Sequence, residues 1–236
     1  TITGTPNPVI TVSTAYPYTI TTFGPCVNPP ASGTITVTPD ATITLAPGSG
    51  AADQTVCVNN AITNIVYDLA GSATNAVPDV TSVFPPGVTG SYNAATKKYT
   101  IAGTPTLAGI YVYRINSVGP CVTPFVTGTI TVTGDGTIAL SPTSPGAASQ
   151  SVCLNTAITQ IIFQAGGTTT NATIAGLPPG VTGIYNAATK EFTISGTPNP
   201  VITATTTYPY TITTFGPCVN PTESGVITVY ALPTPN

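Results

Sequence analysis

Apolar and polar residues alternate with a period of two along most of this chain. Thr34-Ile35-Thr36-Val37, Thr42-Ile43-Thr44-Leu45, Thr129-Ile130-Thr131-Val132 and Val226-Ile227-Thr228-Val229 show it most clearly. Successive side chains of a strand point to opposite faces, so such runs predict strands with one buried face. The residues involved are mainly Thr, Ile, Val and Tyr, which suit a pleated surface. Proline and glycine punctuate the runs, with 25 and 23 copies, and leave no room for a long helix. The expected class is all-β.

The first complete block, 42–133, accommodates seven strands. They are A at Thr42–Ala46 continuing to Val58, B at Ile62–Leu69, C near Ala76–Val83 and D near Val88–Tyr92. E follows at Lys98–Ala102, F at Ile110–Ser117 and G at Thr127–Val132. Seven short strands at this spacing predict an immunoglobulin-like β-sandwich. A second block, 137–230, repeats the scheme, and 231–236 reads as a tail or linker. Residues 1–38 supply only the E, F and G strands of a third sandwich.

Two repeat lengths underlie this layout. Thr1–Val37 recurs at Thr193–Val229, offset by 192 positions, with 30 of 37 residues identical. A looser repeat runs at about half that spacing, carried by Gly103-Thr104-Pro105 and Gly196-Thr197-Pro198, and by Pro85-Pro86-Gly87 and Pro178-Pro179-Gly180. A fixed period marks a tandem array, and two alternating unit types make one super-repeat. The expectation is a window cut from a longer array, mechanical or adhesive in character.

The run Gly176-Leu177-Pro178-Pro179-Gly180-Val181, followed by Phe192-Thr193-Ile194-Ser195-Gly196-Thr197-Pro198, resembles the immunoglobulin-like tandem repeats of very large bacterial surface proteins. Val83–Val88 and Tyr99–Pro105 match that pattern less closely. The resemblance implies a β-sandwich in a secreted, cell-surface adhesin or filament. Neither the cysteines nor the 192-residue alternation belongs to the family pattern, so the resemblance carries no mode of assembly.

Only 5% of residues are charged, against about 25% in ordinary soluble domains. One reading is simple repeat bias. The other is a Thr- and Ser-covered surface built for lateral assembly or for a coat of O-linked sugar, since free monomers rely on charge to stay apart. A net charge of -3 and four cations give no nucleic-acid footprint. No apolar run reaches the ~18–20 residues that span a bilayer, and no signal peptide is seen, so a mature product or an excerpt is expected.

Catalysis finds no footing. Histidine is absent, and seven acids lie scattered along the chain, whereas acid–base and nucleophilic chemistry need titratable partners in reach. Asp40 and Asp135 occupy the two interdomain junctions, where calcium would need six to eight oxygens. One Asp per junction cannot supply them, and both read as turn residues. Lys97, Lys98 and Lys190 fall in Asn-Ala-Ala-Thr-Lys turns, which suits solvated lysines better than isopeptide crosslinks. Asn171-Ala172-Thr173 fits the N-glycosylation sequon. Tyr18, Tyr113 and Tyr210 each stand eight residues before a cysteine, near the start of strand F, where a core or tyrosine-corner role outweighs sugar stacking. No cofactor and no metal is expected.

Five cysteines at regular places, without metal-type spacing, point to disulfides and an oxidising compartment. Cys57 and Cys153 end strand A, at the pole where a unit exits. Cys26, Cys121 and Cys218 lie in F–G loops at the entry pole. Strand B separates the poles by roughly 25 Å at about 3.3 Å per residue, while a disulfide needs about 4.4–6.8 Å between Cα atoms. The expected pair is therefore Cys57 with Cys218, across consecutive units, with Cys26, Cys121 and Cys153 pairing outside the window. The E–F connection is four residues longer around Asn7 and Pro8, and around Asn199 and Pro200, than in the middle unit, so these residues are expected to make junction or subunit contacts.

The function read from the sequence is a structural repeat of an extracellular bacterial fibre, either adhesin stalk or filament subunit, and not an enzyme. Expected partners are copies of itself, with surface glycans as a second class; nucleic acid and membrane insertion are not expected. The alternative is a carbohydrate-binding module of a larger secreted protein, which the Gly, Pro, Asn, Ala and Thr loops favour less. Ice binding through Thr rows ranks third.

Overall fold

The structure is a computed structural model that describes residues 1–7 and 9–233; Pro8 lies outside them. The described residues form eighteen strands and no helix. They fall into two compact units, one ending at Val132 and the other beginning at Thr133.

The first unit opens with a hairpin of β1 (Thr14–Ile20) and β2 (Ala31–Val37). A two-sheet sandwich follows. One sheet runs in the order β3 (Thr42–Leu45), β5 (Ile65–Ala70), β8 (Lys98–Gly103), β7 (Val88–Asn93). The other runs β4 (Gln54–Cys57), β10 (Phe125–Thr133), β9 (Gly109–Val118), β6 (Asn75–Pro78). Along β5 the residues Ile65, Tyr67 and Leu69 are buried while their neighbours are not. That alternation is the physical content of the period-two pattern. The core closes on Ile65, Tyr67, Tyr99, Ile101, Tyr113, Ile115 and Ile130.

The second unit repeats the plan. β11 (Gly136–Leu140), β13 (Ile161–Gly167), β16 (Glu191–Gly196) and β15 (Val181–Asn186) form one sheet. β12 (Gln150–Cys153), β18 (Thr222–Tyr230), β17 (Thr206–Phe215) and β14 (Asn171–Ala175) form the other. β12 joins β18 in parallel; the remaining ladders of this unit are antiparallel. Pro209 sits within β17, opposite Val226 but beyond the end of the β14 ladder, which starts at Thr211. A residue without an N–H is tolerated where one strand edge is unpaired.

Each sandwich has eight strands rather than the expected seven, because strand A is two strands. After β3 the chain meets Pro47 and Gly48, leaves its sheet, and resumes in the opposite sheet as β4. The crossing is held by Gly50 N–H to Asn64 O at 2.8 Å and by Val66 N–H to Ser49 Oγ at 2.7 Å. Strand C is also shorter than expected, ending at Pro78. A third difference lies at the start. Thr1–Gly4 forms no strand, although its counterpart Thr193–Gly196 belongs to β16. There β16 pairs with β13 on one side and β15 on the other; the N-terminal piece has neither.

Unit one carries a tyrosine where unit two has the matching phenylalanine. Tyr99 is buried, opposite Tyr92 and Tyr67 in its sheet, and its hydroxyl has no hydrogen-bond partner. Phe192 occupies the same place opposite Tyr185 and Phe163. An unpaired buried hydroxyl is a desolvation cost without return. Tyr99→Phe is therefore expected to raise stability by about 1 kcal/mol, read as a higher urea midpoint with an unchanged slope.

Candidate functional site

The elements with a repeated, specific geometry are the junction strands and the loops that meet them. In the first unit the stretch Thr38–Ala41 lies against the β9–β10 loop. Ala41 N–H donates to Val122 O at 3.1 Å, Val122 N–H donates to Asp40 Oδ1 at 3.3 Å, and the Cys121 thiol lies 3.7 Å from Thr38 O. The second unit has the same arrangement: Gly136 N–H to Val219 O at 2.9 Å, Val219 N–H to Asp135 Oδ1 at 3.4 Å, and Cys218 Sγ 3.8 Å from Thr133 O. Asp40 and Asp135 are thus more than turn formers. Each reaches over eighty residues along the chain to bind the backbone beside a cysteine. The recurrence of Asp about 95 positions apart was the sequence signal for this role. Among the described residues, no group of three or more His, Cys, Asp or Glu gathers as a metal site would require.

Cys57 ends β4 and Cys153 ends β12, while Cys26, Cys121 and Cys218 sit in the loops β1–β2, β9–β10 and β17–β18. Cys57 and Cys218 are disulfide-bonded. Cys26, Cys121 and Cys153 are free thiols, with Cys26 and Cys153 exposed and Cys121 half-buried.

The three equivalent tyrosines part company. Tyr113 and Tyr210 are buried, and their hydroxyls donate to Ala52 O at 2.9 Å and Ala148 O at 2.5 Å. Tyr67 and Tyr113 also share a hydroxyl–hydroxyl bond of 2.9 Å. The acceptor is the crossover between the two halves of strand A, some sixty residues upstream, rather than the corner beside strand F. Tyr18 is 37% exposed.

Burial pushes Tyr99 and Tyr210 up to about 12. It raises Tyr113 as well, where the Tyr67 hydroxyl adds to the effect. A tyrosine whose pKa rises on folding favours the folded state fully below its unfolded value near 10. That contribution is lost as pH climbs through the folded value. The urea midpoint is expected to hold level to about pH 9 and to fall between roughly pH 10 and 12.

Of the longer E–F connections, Asn199 N–H donates to Pro179 O at 2.9 Å, Pro200 is buried and Ile202 packs on the core. Asn7 is exposed, and Pro8 lies outside the described residues. Val9 and Ile10 line a hollow with Val37, Thr38, Pro39 and Asp40. Lys98 pairs with Asp68, and Lys190 Nζ donates to Gly167 O at 2.9 Å. Asn171 opens β14 with its side chain exposed. Among the described residues, no helix is long and apolar enough to cross a membrane.

No family model and no curated protein matches the chain. Solved structures do. The titin I-band fragment I67–I69 aligns with a TM-score of 0.56 and 11% identity, over 81% of this chain and 66% of that one. A three-domain structure of the same titin region, an E-to-A variant, gives 0.55 and 11% over 83% and 67%. This chain thus spans just under two thirds of the I67–I69 fragment. At such identity the likeness shows the fold: these are immunoglobulin-like domains in tandem.

Proposed function

We propose that the chain is a structural repeat of an extracellular bacterial fibre, an adhesin stalk or a filament subunit, with a mechanical role and no catalysis. The observation that carries the proposal is the cysteine pattern. Cys57 and Cys218, which the sequence places at facing poles of consecutive units, are each disulfide-bonded, while Cys121 and Cys153 are free thiols. On this proposal Cys57 bridges to Cys218 and the pair is a covalent staple between consecutive units. A pull on the chain then enters through strands β3 and β4, crosses the bridge, and leaves through β18, bypassing most of both sandwiches.

The scarcity of charge, at 5% of residues, supports packing against copies of the chain, since repulsion between them is small. The resemblance to bacterial surface repeats supports the location outside the cell. Non-reducing peptide mapping tests the staple: a Cys57–Cys218 peptide is expected. A Cys57–Cys121 or Cys153–Cys218 peptide would return the cysteines to the unit interior and remove the basis of the mechanical reading.

A further inference from the structure

The β1–β2 hairpin and the β17–β18 hairpin share one register, offset by 192 residues: Tyr16 faces Ile35 as Tyr208 faces Ile227, and Tyr18 faces Gly33 as Tyr210 faces Gly225. Their surroundings are opposite. Tyr210, Ile212 and Ile227 are 1%, 0% and 0% exposed, whereas Tyr18, Ile20 and Ile35 are 37%, 46% and 41% exposed. Both outer edges of the β1–β2 sheet are unpaired. A two-stranded sheet with a bare apolar face is marginal in water, and an exposed apolar patch of this kind marks an interaction surface. Pro6, Tyr16, Ile35 and Val37 line an apolar hollow on it.

We infer that this face is a docking surface whose occupant is a segment of the 133–192 type, that is, a further copy of the first part of the second unit; the inference rests on the tandem-array reading above. In the second unit this segment supplies Ile138, Ile161, Phe163 and Phe192 to the core over Tyr210 and Ile212. It also pairs both edges of the hairpin, with β12 along β18 and β14 along β17, and it provides Ala148 O for the Tyr210 hydroxyl. Each of these has an empty counterpart at β1–β2. The occupant is not of the 42–99 type. From Gly4 to Tyr18 is fourteen positions, as from Gly196 to Tyr210, while Gly103 to Tyr113 is ten.

The test joins an extra copy of residues 133–192 directly ahead of Thr1 of the full chain and follows amide hydrogen exchange. Exchange at Tyr16–Ile20 and Ile35–Val37 is expected to slow by about a hundredfold or more relative to chain 1–236, as core strands do on burial. Phe163→Asp in the added copy is expected to abolish the slowing while leaving Thr206–Tyr230 unchanged. Three results would overturn the inference: unchanged exchange in the extended chain, slow exchange that survives Phe163→Asp, or slow exchange already present in 1–236, which would mean that a second copy covers the face. Cysteine mapping on the same samples shows separately whether the array reading fails.

Discussion

Gly225→Ala is expected to destabilise the second unit by about 2–4 kcal/mol, whereas Gly33→Ala, at the equivalent residue of the first hairpin, costs less than about 0.5 kcal/mol. The Tyr210 ring lies across Gly225, and its hydroxyl reaches the Ala148 carbonyl just beyond. A Cβ on Gly225 would stand 2.2 Å from Ala148 O and 2.5 Å from the Tyr210 hydroxyl oxygen. One of these is backbone and cannot swing away. Relief must come from moving the crossover of strand A, which loosens the β12–β18 ladder and breaks the tyrosine bond. At Gly33 the new methyl meets only the Tyr18 ring, with the hydroxyl at 2.4 Å. That ring is 37% exposed, so it rotates aside. Urea unfolding of the two variants, with exchange to locate the loss, reads the difference.

Phe163→Ala is expected to cost about 3–5 kcal/mol, the range for deleting a buried aromatic ring. Phe163 is 0% exposed and sits in the middle of its sheet, on β13 between β11 and β16, opposite Leu140 and Phe192. Rigid strands flank it on both sides, so the cavity closes little. The counterpart Tyr67 adds a hydroxyl that bonds Tyr113. Phe163→Tyr is then the milder probe, because the Tyr210 hydroxyl, which donates to Ala148 O, can still accept from a new hydroxyl as Tyr113 does from Tyr67. An unfolding free energy from urea titration for Phe163→Ala within about 0.5 kcal/mol of the parent would show that this core is not what holds the sandwich.

Much of the fold was legible in the chain because one-sided burial writes itself as alternation. Ile65-Val66-Tyr67-Asp68-Leu69 could only be a half-buried strand, and β5 follows it residue by residue. Features that depend on distant partners were not legible. The division of strand A turns on Ser49 Oγ meeting the Val66 amide, and no local propensity encodes that meeting. The Tyr113 acceptor, Ala52 O, lies 61 residues away, so a tyrosine near strand F was visible but its partner was not. Thr1–Gly4 fails as a strand for the converse reason: its sequence is right, but strand partners are missing. At the junctions the cysteines and aspartates both stand out in the chain. The link between them, through the backbone of Val122 and Val219, required three dimensions.

Pulling single molecules from their two ends, with and without reductant, tests the proposed Cys57–Cys218 bridge most directly. The oxidised chain is expected to hold the stretch from Cys57 to Cys218 out of the force path, so that only the strands outside it extend. Reduction should then release roughly 55 nm of additional length, at about 3.4–3.6 Å per extended residue. Full extension of both sandwiches without reductant would contradict the account.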